Sequence, residues 1–183
     1  MKSFKFAALA LAVSLATLAA CATPQIMVGG APMLATKDII DNAVNSKDHT
    51  TLVAAVKAAG LVDTLKGKGP FTVFAPTNAA FAALPAGTVD TLLKPESKAA
   101  LTKVLTYHVV AGNMDAAALT KAIMAGGGKA TLKTVSGGSL TAMASGNTVT
   151  VTDESGGTAK VTIADVIQSN GVIHVVDRVL LPK

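Results

Sequence analysis

The spacing of apolar residues changes once along this chain, and that change bounds the fold. Up to about residue 124 they recur at helical intervals; beyond about residue 139 they alternate with threonine and serine. Ile39, Ile40, Ala43 and Val44 share one helical face. Asp48 or Thr50 can cap a second helix carrying Leu52, Val53, Val56 and Ala59, and Gly60 stops it. Leu61 to Leu65 adds a turn, and Lys66-Gly67-Lys68-Gly69-Pro70 is a break. Phe71 to Phe74 reads as a short strand ended by Pro76. Thr77 is an N-cap for a helix through Phe81 and Leu84, stopped by Pro85. Pro95 suits the first turn of the next helix, with Glu96 beside its positive dipole end and Leu101, Val104 and Leu105 on its apolar face. Tyr107 to Val110 is expected to be extended. A last helix over about 115–124 ends at Gly126 to Gly128.

In the final third, Leu140 and Ala142, Val149 and Val151, and Val161 and Ile163 follow a period of two. Ser145-Gly146-Asn147 and Ser155-Gly156-Gly157 separate them as hairpin turns. Val166-Ile167 and Val172 to Val176 flank another turn at Ser169-Asn170-Gly171. Helices first and strands later predict an α+β domain rather than a βαβ series. The chain has 183 residues, enough for one such domain with a tail, and it shows no internal repeat.

The first 35 residues read differently. Lys2 and Lys5 precede a run of small and apolar residues from Ala7 to Ala20, too short to span a bilayer. Residues 1–20 fit a secretory signal peptide. Leu18-Ala19-Ala20-Cys21 resembles the lipobox of bacterial lipoproteins, which implies cleavage before Cys21 and diacylglycerol on its sulfur. Ala22 is not the aspartate associated with inner-membrane retention, so an outer-membrane-anchored lipoprotein is expected. Ala20-Cys21-Ala22 also has the small-x-small form that ordinary signal peptidase accepts, which would release a periplasmic or secreted protein. Two prolines and a glycine pair make residues 21–35 a lipidated cysteine and flexible tether, leaving 36–183 as the domain. Cleavage before Cys21 removes two of the 16 cations. Fourteen then face 11 anions, a formal +3.

Composition excludes several function classes. The chain is 50% hydrophobic and 15% charged, which excludes wholesale disorder. One cysteine excludes an internal disulfide scaffold and a zinc site of several thiolates. The lysines are scattered and there is a single arginine, so no nucleic-acid partner is expected. No tryptophan and one tyrosine leave no stacking platform for sugars or bases. Gly67-Lys68-Gly69 and Gly128-Lys129-Ala130 lack the hydroxyl residue of a phosphate loop and run into strands, so both read as turns. The three histidines lie 59 and 66 residues apart, and Asp153-Glu154-Ser155-Gly156 lacks the distal ligand of a calcium loop. No Gly-x-Ser-x-Gly elbow occurs. A non-catalytic protein with no metal and no cofactor is expected. His108 and His174 lie in strongly apolar strings, where one reading is a neutral buried imidazole and the other a pH-sensitive latch or a ligand.

Three segments together resemble the fasciclin-like domain family. They are Thr72-Val73-Phe74-Ala75-Pro76-Thr77-Asn78-Ala79-Ala80-Phe81 with Leu84-Pro85; the Tyr107-His108 pair; and Asn170 through Pro182. The resemblance covers about residues 36–183, and the whole looks like a bacterial single-domain fasciclin lipoprotein. It implies an α+β wedge of two β-sheets with helices along one side. It also implies a non-catalytic role in adhesion, with an envelope, extracellular or host-surface protein or polysaccharide as partner. The membrane would be met through the lipid anchor alone, and a monomer is expected. The family's Tyr-His region is implicated in integrin binding. Here that region is Tyr107 and His108 with Leu105, Val109 and Val110, either as an interaction motif or as a lock on the helix-to-strand junction. A lipid-anchored periplasmic ligand-binding protein is the alternative, and it predicts a concave apolar pocket.

Overall fold

A computed structural model describes residues 26–183 apart from Ala86 and Asn147. Cys21, the signal peptide and residues 22–25 lie outside the described residues. The described residues begin with a small hairpin, β1 (Met27–Val28) and β2 (Ala31–Pro32). Three helices follow: α1 (Ile39–Ala43), α2 (Thr50–Ala59), entered through a 3-10 turn at Lys47–His49, and α3 (Val62–Leu65). Then come β3 (Phe71–Pro76), α4 (Asn78–Ala82), α5 (Thr88–Leu92), α6 (Lys98–Tyr107), β4 (Val109–Ala111) and α7 (Ala116–Ala125). Five strands close the chain: β5 (Lys129–Lys133), β6 (Ser139–Ser145), β7 (Thr148–Thr152), β8 (Thr158–Gln168) and β9 (Gly171–Val176).

Seven strands form one sheet in the order β4-β3-β9-β8-β7-β6-β5. Only the β3–β9 pair is parallel. The sheet has two halves that share β8. The first residues of β8 pair with β7, and from Val161 on it pairs with β9, with two register shifts between Val161 and Val166. Such irregularities bend a strand, and here they separate a β4-β3-β9-β8 half from a β8-β7-β6-β5 half. The far edges approach each other: Val110 of β4 bridges to Thr134, and the Val135 amide donates to the Val109 carbonyl at 2.8 Å. The expected wedge is therefore one bent, nearly closed sheet.

The core lies in two parts. On one side α1, α2 and α6 cover β3, β8 and β9, burying Ile39, Ile40, Leu52, Val56, Leu101 and Leu105 with Val73, Val166 and Ile173. Inside the other half, Leu119 and Ile123 of α7 pack on Leu132, Leu140, Ala142 and Val151, with Phe74 and Tyr107 beside them. Each buried Leu or Ile stabilises by about 1.5–3 kcal/mol relative to exposure.

Four expectations are corrected. Residues 26–33 are not tether: Val28, Ala31 and Met33 are buried in the first core, because β1 and β2 turn this stretch back onto α1 and the sheet. The two glycines that suggested flexibility, Gly29 and Gly30, supply the positive φ of the turn (58° and 77°). Val44 is 50% exposed, since α1 ends at Ala43 and the stripe of Ile39, Ile40 and Ala43 already fills the core-facing side. Neither Asp48 nor Thr50 caps α2; that role falls to a residue of α4. Tyr107 is the last residue of α6 and His108 its C-cap (φ −79°, ψ −5°), so the strand starts at Val109. The expected Gly60 stop is present with φ 75°. So are the Thr77 cap, whose Oγ1 accepts from the Ala80 amide at 3.3 Å, and the hairpin turns of the last third. Strands do follow Gly67-Lys68-Gly69 and Gly128-Lys129-Ala130.

Candidate functional site

The Tyr-His junction sits where α6 hands over to β4, and it points inward. Leu105, Tyr107, His108, Val109 and Val110 are all buried, with Tyr107 at 0% and His108 at 2% exposure. The Tyr107 hydroxyl donates to the Ser139 carbonyl at 2.8 Å and accepts from the Glu154 amide at 3.0 Å. It thus ties α6 to the start of β6 and to the β7–β8 turn. A Cβ on Gly138 would stand 2.6 Å from Tyr107 Cε2, so the ring's position requires glycine there.

His108 bridges in another direction. Its Nδ1 lies 2.8 Å from the Val104 carbonyl, which can only accept, so Nδ1 carries the proton. Its Nε2 accepts from the Leu180 amide at 2.9 Å. Both nitrogens of a neutral imidazole are satisfied. Burial lowers the pKa to about 4, opposed by the Val104 hydrogen bond and by Asp153. Asp153 fastens the same tail: its Oδ2 accepts from the Leu181 amide at 2.9 Å and its Oδ1 from the Gly157 amide at 2.7 Å. The pair therefore fixes the C-terminal tail and one sheet half to α6, and it presents no side chain for an outside partner. Its geometry supports folding use.

His174 is the neutral, buried histidine of the first reading. It stacks on Phe74 with centroids 5.7 Å apart, and its Nε2 donates to the Met114 carbonyl at 2.7 Å. Burial lowers its pKa too. Nearby Asp165, at φ 57°, accepts from the Ala116 amide at 2.6 Å, while Asp115 accepts from the Ala118 amide at 2.7 Å. Together these groups hold the first turn of α7 against β8 and β9. His49 differs: Nδ1 meets Ser46 Oγ at 2.9 Å, but Nε2 is buried with no hydrogen-bond partner. Burial lowers its pKa as well.

Sequence reasoning missed two asparagines. Asn78 caps α2 from outside: its Oδ1 accepts from the Thr51 amide at 3.0 Å and its Nδ2 donates to the Lys47 carbonyl at 2.8 Å. Asn170 joins three segments, accepting from the Ile39 amide at 3.1 Å and donating to the carbonyls of Leu65 (2.7 Å) and Gly67 (3.1 Å). Both stand inside the quoted blocks, yet their partners are 27 to 131 residues away. Among the described residues, no group of three His, Cys, Asp or Glu is placed to hold a metal ion, and no helix is long and apolar enough to cross a membrane. An open cleft of about 930 Å³ runs between α7 and the β6–β8 strands, lined by alanines, threonines, Val149, Val161, Met124 and Lys121.

A bent sheet with an inward Tyr-His lock defines a class of domain, and comparison with known proteins agrees. The fasciclin domain model matches residues 47–182, and the chain belongs to the fasciclin domain family. Protein sll1483 of Synechocystis sp. is 50% identical over 144 residues, covering 79% of this chain and 73% of that protein. The immunogenic protein MPB70 of Mycobacterium bovis is 40% identical over 145 residues, covering 76% of this chain and 66% of that protein. The fold matches the FAS1 domain pair of the insect cell adhesion molecule Fasciclin I with a TM-score of 0.69 at 18% identity, over 79% of this chain. The chain spans 51% of that solved chain, about one domain of the pair.

Proposed function

We propose that this protein is an exported, non-catalytic interaction module that presents its fasciclin domain to an envelope or extracellular partner, as an adhesion protein does. The observation that carries this reading is the inward commitment of its chemistry. Tyr107, His108 and His174 are buried and bonded to backbone groups of the same chain, so contact with a partner falls to the surface. Export and anchoring rest on the signal-like residues 1–20 and on Cys21. The likeness to a cell adhesion molecule supports the role by analogy.

A second reading, a lipid-anchored periplasmic ligand-binding protein, is favoured by the cleft beside α7. Protease shaving of intact cells separates the two. Loss of the domain's blot signal in intact cells supports the outward-facing module. Protection in intact cells, with loss after the outer membrane is permeabilised, refutes it and favours the periplasmic reading.

A further inference from the structure

We infer that the outward face of the β5–β8 half is a docking surface for a linear anionic polysaccharide, an inference that rests on the interaction role above and names its partner class. The alternation that makes these strands buries one set of side chains, Ala130, Leu132, Leu140, Ala142, Val151 and Ala159, beneath α7. The other set faces out. Strand register aligns it in rows across all four strands. One row is Thr131, Thr141, Thr152 and Thr158; the Oγ1 atoms of Thr152 and Thr158 lie 3.1 Å apart, which places them side by side. The next row is Lys129, Met143, Thr150 and Lys160. Lys133 and Ser139 pair beyond the threonine row.

The face is thus rich in hydroxyls and edged by lysines. Lys129 and Lys160 stand three strand spacings apart, about 14 Å. No carboxylate lies within the rows. Two border them: Glu154 accepts from the Ser139 amide at 2.9 Å and Asp177 from the Lys160 amide at 2.8 Å. Among the described residues, none of the three lysines is in an ion pair; those seen involve Lys66. A chain of sugars carrying carboxylates or sulfates complements the face: negative charge for the lysines, and hydroxyls to exchange hydrogen bonds with the threonines. Without aromatic rings, neutral glycans gain no stacking here. Met143 is the lone apolar side chain in the two rows, which gives an anionic bilayer little to take up.

The test is the affinity of the purified full-length chain, in neutral detergent, for alginate, for dextran and for glycerophosphoglycerol, the soluble headgroup of an anionic lipid. Two triple variants are compared: Lys129→Gln/Lys133→Gln/Lys160→Gln on the face, and Lys37→Gln/Lys68→Gln/Lys94→Gln elsewhere, with matched circular dichroism and melting to show that both fold. The expected result is alginate binding without dextran binding, weakened about tenfold by the face triple and little by the control. Equal weakening by both triples, no preference for alginate over dextran, or preference for the headgroup over alginate overturns the inference. Shaving reports separately on the reading beneath it. An exposed domain that ignores alginate sinks this inference alone, while a protected domain that binds alginate sinks the outward-facing role alone.

Discussion

Acidification to pH 5 should cost this domain stability, and His108 sets a minimum for the loss. In the unfolded chain an imidazole titrates near its ordinary value of about 6.5. In the folded chain burial holds His108 at about 4. Below the unfolded value, the unfolded state binds a proton that the native state refuses, so stability falls as pH falls. The His108 contribution to stability is complete above about pH 6.5 and lost progressively down to about pH 4. Linkage between these two values lowers stability by about 2 kcal/mol from pH 7 to pH 5 for this residue alone. His49 and His174 shift in the same direction and add to the loss. Urea unfolding at pH 7, 6 and 5 measures it, in a range where carboxylates with ordinary values stay mostly ionised. His108→Asn should be less stable than the parent at pH 7, yet it should lose about 2 kcal/mol less on moving to pH 5. NMR titration of the native ring should show no midpoint above about pH 5. A native midpoint near 6.5, or a variant that keeps the parent's full pH slope, would refute the reasoning.

Tyr107→Phe keeps the ring but strands the Ser139 carbonyl and the Glu154 amide, so urea midpoints should report a loss of about 1–3 kcal/mol. Gly138→Ala pushes a methyl into that same ring and should cost about 1–3 kcal/mol by thermal melting. Asn78→Ala uncaps α2 from a distance; a loss of about 1 kcal/mol is expected, with faster amide exchange at Thr51 as the local signature.

What could be read in the chain and what could not divide along the distance to a residue's partner. Thr77 caps its own helix, and the residues that terminate α2 and join β8 to β9 act locally, so sequence patterns expose them. Asn78, two bonds' work in one side chain, acts on α2, and nothing near it marks that role. The same holds for His108, whose acceptor nitrogen meets Leu180 across 72 residues. The helix end at Tyr107 was illegible for another reason: Val104 to Val110 is buried nearly throughout, and a run buried on all sides loses the period that separates helix from strand. α5 follows a glycine, has no side-chain cap and buries none of its residues, so neither stop signals nor a stripe announce it. β5 offers two apolar positions between lysines and threonine, too few for a pattern. β1 and β2 did carry a signal, the Gly29-Gly30 pair between apolar residues, which fits a tight hairpin as well as a loose linker. The candidate site was legible as a motif and illegible as a set of contacts. Tyr107 and His108 stood out by composition, while their burial came from strands and a tail that follow them in sequence.

An inner strand of the sheet comes late in the described chain. β9 lies between β3 and β8, and its parallel ladder to β3 joins residues about a hundred positions apart. Until Gly171 to Val176 are available, β3 and β8 have no neighbour on that side, and Asn170 cannot gather α1 and α3. Contacts of such separation close late, because the loop entropy must be overcome first. The first core, which needs Ile173 and Val175 beside Val73, therefore closes only after β9 has joined β3.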